Sequence, residues 1–262
     1  MTYVFKPRVA LITGGGSGIG AAMARELASR KTYVVVADID LKKAANVSHE
    51  IGERAEAIKL DVTDRNQVEA LLISLQDRLG SLDCLVNCAG INSYGEALDA
   101  PWSDWHRIIS VNLMGTITSS MAAYAVMAKQ GHGTIINMGS MATFLVDPLF
   151  APYVTSKFGV VGFSRALGVE AEAYGIHVCV VCPGNILTPM RGEKYKLSWL
   201  TPAMTTTLAV KKILQGVKKR RRIIVFPFHA KMFWWLDRIS PRLLNSVRRE
   251  IFRRAKKRVN SN

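Results

Sequence analysis

Cysteine, histidine and uninterrupted apolar sequence are all scarce in this chain. Four cysteines in 262 residues are too few for a disulfide scaffold, and a reducing, cytoplasmic setting is the expectation. The opening run MTYVFKPRVALITGGG lacks the apolar segment of a secretory signal. The five histidines are scattered, none spaced for a metal or a nucleophile triad. The longest uncharged stretch, residues 108–128, is broken by Asn112, Gly115, two threonines and three serines, the mark of a buried amphiphilic helix rather than a membrane span.

Acidic residues are scarce at one end only. Residues 211–262 hold 17 of the 35 basic residues but two of the 20 acids, Asp237 and Glu250, so the net charge of +15 belongs to the last fifth of the chain. Such a balance suggests an acidic partner, an anionic membrane surface or nucleic acid. Nucleic acid is disfavoured because the tail has no recognisable reading motif. With 49% hydrophobic and 21% charged residues overall, disorder and collagen-like repeats are excluded, and one sizeable domain with a large core is expected.

Short β-branched runs alternate with helical periodicity, the pattern of a parallel sheet covered on both faces. Strands are expected at residues 8–12, 33–37, 57–60, 83–86, 134–138, 177–181 and 223–226. Helices are expected near 18–30, 41–51, 64–79, 101–129, 153–174 and 203–217. This is an α/β doubly wound, seven-stranded parallel sheet. Residues 1–227 form the expected catalytic domain and 228–262 a basic amphipathic helical extension.

Directly after the first strand comes Thr13-Gly14-Gly15-Gly16-Ser17-Gly18-Ile19-Gly20, opening a helix. Glycines 14, 18 and 20 let the backbone turn sharply and approach a pyrophosphate, while the helix N-terminus offers free N–H groups and a positive dipole end. Gly14, Gly16, Ser17, Gly18, Ile19 and Gly20 are thus expected to bind a dinucleotide of the Rossmann type. Asp38 ends the second strand about twenty residues later, where a carboxylate accepts hydrogen bonds from ribose hydroxyls and repels a 2′-phosphate. NAD(H) is favoured over NADP(H), and Asp40 reads as the cap of the next helix.

Tyr153 and Lys157 stand at i, i+4 and leave one helix face together, and Ser140 lies just beyond the fifth strand, where ligands of an open α/β sheet collect. In this order the motifs resemble the short-chain dehydrogenase/reductase family over residues 8–226. The resemblance extends to Asp61-Val62, expected in the adenine pocket, and to Asn87-Cys88-Ala89-Gly90 in place of Asn-Asn-Ala-Gly, which adds Asn87, Ala89 and Gly90 to the cofactor residues. It also covers Asn112 and the Pro183-Gly184-x3-Thr188 segment, with Ile186 inside it. Cys88 is the one departure and touches only local hydrogen bonding.

The resemblance implies an oxidoreductase interconverting a secondary alcohol and a ketone. Free tyrosine has a pKa of about 10; the Lys157 ammonium and an oxidised nicotinamide favour the phenolate. Tyr153 is then general base for oxidation and general acid for reduction. Ser140 donates to the substrate oxygen, Lys157 also holds the nicotinamide ribose, and Asn112 anchors a water that relays protons to Lys157. Cys179 and Cys182 point to opposite faces of a strand and read as core, as do Cys84 and Cys88. Trp102 and Trp105 read as packing residues at a helix start.

By the same resemblance Phe144, Leu145, Val146, Leu149 and Phe150 line the substrate entrance; packing in the core or at a subunit interface explains them equally well. Residues 188–205 are the expected substrate lid. An apolar entrance suggests a lipophilic alcohol or ketone, such as a steroid, a retinoid or a fatty-acyl-like compound. In the tail, the aromatic cluster Phe233-Trp234-Trp235 is followed by a second helix starting near Pro241, with Leu244, Val247, Ile251 and Ala255 as an apolar stripe among arginines and lysines. That is a basic amphipathic helix suited to an anionic membrane interface. Two alternatives stand beside this reading: a 3-oxoacyl-(acyl carrier protein) reductase-like enzyme whose tail docks its acidic partner, and a non-enzymatic NAD-binding scaffold. The apolar residues on helices 101–129 and 153–174 suggest a homodimer or homotetramer.

Overall fold

The computed structural model describes residues 5–145, 148–191 and 203–240, and beyond these residues 242, 245, 246, 248–250, 252 and 253. Seven parallel strands form one sheet: β1 (Val9–Thr13), β2 (Tyr33–Asp38), β3 (Ala55–Lys59), β4 (Cys84–Asn87), β5 (Gly133–Met138), β6 (Ile176–Pro183) and β7 (Ile223–Phe226), in the order β3-β2-β1-β4-β5-β6-β7. Strand order reverses between β1 and β4, which opens a crevice at their carboxyl ends.

Alternation along each strand divides the core. Ile12, Val36, Val86 and Ile136 share a layer with Met23, Leu27, Ile213 and Leu214. The intervening Leu11, Val35, Leu85 and Ile135 face the other way, towards Leu72, Leu75, Met127 and Leu167. The first layer belongs to α1 (Gly18–Ser29), α2 (Leu41–Ile51) and α8 (Thr206–Lys218); the second to α3 (Arg65–Leu79), α5 (Gly115–Gln130) and α7 (Ala151–Glu170). Asp40 caps its helix as expected, accepting from the N–H groups of Lys42 and Lys43, and Asp64 caps the next by accepting from that of Gln67.

The expected helix over 101–129 is three pieces: α4 (Trp102–Ile108), a π-helical turn Ile109–Met114, and α5. The whole 102–130 span is long and apolar enough to cross a membrane, yet it lays Ile108, Asn112, Ser119, Ser120, Ala123 and Met127 on the protein interior. Trp102 departs from the packing role: it is 76% exposed at the first turn of α4. The helix expected over 153–174 starts earlier, at Ala151, because Pro152 suits a first turn, and it ends in a 3-10 turn, Ala171–Tyr174.

One helix was not expected, the four-residue α6 (Ala142–Leu145) after Ser140; α9 (Phe228–Ile239) follows β7 within the helical extension expected over 228–262. They meet in a third apolar cluster, in which Phe144, Leu145 and Ala230 pack with Val180, Cys182, Val225, Phe233 and Trp234. Phe144 and Leu145 are therefore core residues of this cluster and not entrance residues. Leu149 is likewise buried, and Val146 lies outside the described residues. Beyond α9 the described residues between 242 and 253 are helical; the stripe residues Leu244, Val247, Ile251 and Ala255 lie outside the description.

Candidate active site

The turn after β1 is built by close backbone approach. Gly14 has φ +63°, and a Cβ there would sit 2.6 Å from the Ala89 nitrogen at the end of β4; one on Gly20 would overlap the Gly14 carbonyl oxygen. Only glycine meets both demands. Ser17 caps α1 in extended backbone with no side-chain hydrogen bond, and no acid occupies the first turn, so the helix N-terminus keeps its positive end open to an anion. Ser17, Gly18, Ile19 and Gly20 line a cleft of about 750 Å³. Gly16 does not line it; its N–H donates to Asp38 Oδ2 at 2.9 Å. With Asp38 Oδ1 accepting from the Asp40 N–H at 3.0 Å, the carboxylate is fixed at the cleft's edge.

Asp61 and Val62 form the next stretch of wall, Asp61 Oδ1 accepting from the Thr63 hydroxyl at 2.7 Å. Ala89 and Gly90 line the floor. Asn87 sits below them, away from the cleft: its amide donates to Asn137 Oδ1 (2.8 Å) and Ser120 Oγ (3.0 Å), and Asn137 donates in turn to Ser164 Oγ (3.0 Å). This buried chain ties β4, β5, α5 and α7 together under the site. Pro183 and Thr188 close the far side, where the Thr188 methyl lies over Gly18.

Asn112 stands in the π-helical turn, fully buried. Its Oδ1 accepts from the Ile91 N–H at 2.8 Å, and its Nδ2 donates to the Ile91 carbonyl (2.9 Å) and to Ser156 Oγ (3.0 Å). This clip fixes the chain beside Gly90, whose Cβ position lies 3.3 Å from Asn112 Oδ1 and 3.8 Å from Lys157 Nζ. Lys157 donates to the Met138 carbonyl at 2.8 Å, with Nζ 5.6 Å from the Tyr153 ring centre. Burial pulls its pKa down to about 8, so it remains a cation at neutral pH.

Tyr153 belongs to two cavities at once. It lines the large cleft and also a smaller pocket of about 160 Å³, whose walls include Ser140, Met141, Phe150, Ile186 and Met190. Ser140 Oγ accepts from the Ala142 N–H at 3.0 Å, which leaves its hydrogen available to a ligand in the pocket. Gly184 and Ile186, expected in the cofactor site, line this pocket instead. The feet of the expected lid meet where Ile186 bridges Met204; residues 192–202 lie outside the description.

Several lining residues escaped the sequence reading. Asn92 reaches across the mouth to donate to the Met190 carbonyl at 3.3 Å, a contact between segments 98 residues apart that no local pattern announces. Lys43 lines the cleft beside Asp38, its Nζ 3.3 Å from Asp40; its place on the first turn after the Asp40 cap was the available signal. Cys88 also lines the cleft. Burial pushes its thiol, and those of Cys179 and Cys182, up to about 12, which leaves them as unreactive thiols. Cys179 and Cys182 sit in different apolar clusters, on opposite faces of β6.

A sheet with this crevice, a phosphate turn and a Ser-Tyr-Lys group between two cavities define an oxidoreductase acting on CH–OH groups. The chain belongs to the short chain dehydrogenase family, whose model matches residues 8–198. It is 34% identical over 197 residues to 2-(S)-hydroxypropyl-CoM dehydrogenase 3 of Xanthobacter autotrophicus, covering 74% of this chain and 77% of that one. It is 37% identical over 183 residues to the 3-oxoacyl-(acyl-carrier-protein) reductase FabG of Haemophilus influenzae, covering 70% and 76%. Among solved structures, a short-chain type dehydrogenase/reductase from Mycobacterium marinum matches with TM-score 0.78 at 30% identity, over 84% of this chain and 93% of that one. A family member from Burkholderia phymatum in complex with NAD has the same fold, with TM-score 0.84 at 24% identity over 92% and 96%.

Proposed function

We propose that the protein is an NAD(H)-dependent enzyme that interconverts a secondary alcohol and a ketone on a lipophilic substrate, with residues 1–227 as its catalytic domain. The observation that carries this reading is Tyr153 in the wall common to the cleft and the pocket, one helical turn from the buried cation of Lys157. When bound in the cleft, the nicotinamide supplies the hydride acceptor or donor for the carbinol carbon. Tyr153 takes the hydroxyl proton in oxidation and returns it in reduction. Ser140 directs its hydroxyl hydrogen at the substrate oxygen and stabilises alkoxide-like charge. Lys157 favours the Tyr153 phenolate, and the gap over Gly90 between Lys157 and Asn112 is the path by which the proton is relayed.

Asp38 supports NAD(H) over NADP(H), since a fixed carboxylate at the ribose end repels a 2′-phosphate. Besides Lys157, the described cations lining the cleft are Lys43, paired with Asp40, and Arg107, paired with Asp104. The pocket's Met141, Ala142, Phe150, Ile186 and Met190 support a lipophilic substrate. We place the enzyme in the cytoplasm, peripherally on an anionic membrane through residues 228–262, and as a homodimer or homotetramer. In support of attachment, α9 turns Phe228 (82% exposed), Met232, Trp235 (56%) and Ile239 (76%) outward along one face, beside exposed Lys231 and Arg238.

Reduced-nicotinamide absorbance with steroid, retinoid and 3-oxoacyl substrates, run with both cofactors, tests this reading. Turnover of lipophilic alcohols with NAD is expected; turnover only of acyl thioesters, or only with NADPH, overturns it. The likeness to the FabG reductase favours that second outcome over any other alternative, and the basic extension would then dock an acidic carrier. Attachment is tested by flotation with phosphatidylglycerol vesicles. Deleting 228–262 would strip Ala230 and Trp234 from the core, so Phe228→Glu with Trp235→Glu is the sounder variant; equal flotation of variant and parent would dismiss the α9 face.

A further inference from the structure

We propose that Arg248, in the basic extension, is a positioning residue for Ser140. Its guanidinium donates from Nε to the Leu145 carbonyl and from one Nη to the Phe144 carbonyl, both at 2.8 Å, while the same nitrogen pairs with Asp237 on α9 and the other Nη donates to Asn245. Phe144 and Leu145 are the last two residues of α6, a helix of four residues. A helix that short does not persist alone, and its terminal carbonyls have no partner within it. Arg248 supplies both partners and places its positive charge at the end where the helix dipole favours one.

The other end of the same turn is Ser140. Its Oγ accepts from the Ala142 N–H, and its carbonyl accepts from the Thr143 hydroxyl at 2.7 Å and the Thr143 N–H at 3.2 Å. Ser140 and α6 are thus one hydrogen-bonded unit, anchored on the sheet side by the Met141 N–H on the Pro183 carbonyl and on the far side by Arg248. The direction of the serine hydroxyl depends on that unit holding its shape. The extension, which follows the last strand, is in this way part of the machinery that aims a group at the substrate. Asp237 keeps the guanidinium in place across a contact only 18% and 28% exposed on its two side chains.

This inference rests on the role given to Ser140 under Proposed function, and a double-mutant cycle separates the two. Ser140→Ala should lower kcat about 100-fold by removing the donor to the substrate oxygen. Arg248→Met should lower kcat about tenfold with NADH affinity unchanged, and the double variant should be no slower than Ser140→Ala alone, because groups acting through one another are not additive. Arg248→Lys, which reaches one carbonyl and not both, should recover part of the rate. Full activity of Ser140→Ala would remove the serine's role and the inference with it. Normal kcat in Arg248→Met, or losses that multiply in the double variant, would overturn the inference while leaving the serine in place. If Arg248→Met does not fold, Asp237→Asn loosens the guanidinium without deleting it, and the same cycle with Ser140→Ala decides by the same rule.

Discussion

The half of the molecule around β1, β2 and β4 and the half around β5, β6, β7, α6 and α9 make their sites by different means. In the first, main chain meets main chain, Gly14 against Ala89 and Gly20 against Gly14, and one main-chain N–H, that of Gly16, fixes the Asp38 carboxylate. In the second, side chains from distant segments build and back the pocket: Phe150 edge-on to Tyr94 with ring centres 5.2 Å apart, Asn92 on the Met190 carbonyl, and, in the core behind them, Phe144 against Trp234. Backbone approach tolerates one residue type, whereas side-chain packing accepts many solutions of equal volume. The first half therefore shows in a short motif and the second does not.

Tyr153 belongs to both halves, so Tyr153→Phe is the sharpest way to separate them. Turnover should fall by about 1,000-fold or more, in the range for loss of a general acid–base group, while NADH still quenches its fluorescence on binding with ordinary affinity. Loss of both would mean that the two halves are not independent. Gly14→Ala should break the backbone-built half first: with φ +63° and a neighbouring main-chain atom 2.6 Å from the new methyl, NADH affinity should drop by about tenfold or more, a shift read by titration.

Smaller effects probe what lies beneath. Asn137→Leu leaves Asn87 and Ser164 without their shared partner in a buried site and should cost about 2 kcal/mol of stability by denaturant unfolding. An intact midpoint would show that the buried chain is not what ties the two halves together. The smallest effect lies at the foot of β6. Burial, with Arg220 and Arg222 nearby, pulls His177 down to about 4. The folded state binds its proton more weakly than the unfolded chain does, so stability should be lost as pH falls from about 6.5 to about 4 and level off below that. His177→Phe should flatten that limb in urea unfolding measured near pH 7 and near pH 5; an unchanged acid limb would assign it to other groups.

The strands were legible to within a residue or two because all but β3 alternate between two buried layers, and a buried parallel strand has few other ways to be written. β3, at the sheet's edge, began two residues earlier than expected because Ala55 and Glu56 are weak strand formers held there by pairing with Val34 and Val35. The π-helical turn at Asn112 was not legible, because the partner that Asn112 grips there, Ile91, is 21 residues away and no local pattern announces it. Phe144 and Leu145 were apolar under either reading; only their distance from Trp234 told core from entrance.

Taken alone, the sequence determined the sheet, the phosphate turn, the carboxylate at Asp38 and the Ser140, Tyr153 and Lys157 group, because each depends on residue type at fixed spacing along one or two elements. The tertiary structure alone decided that Tyr153 stands between two cavities, that Asn87 lies under the cleft and not in it, and that Arg248 holds the turn behind Ser140. Those are contacts between elements far apart in the chain. Their strength comes from geometry that exists only once the sheet has brought the elements together.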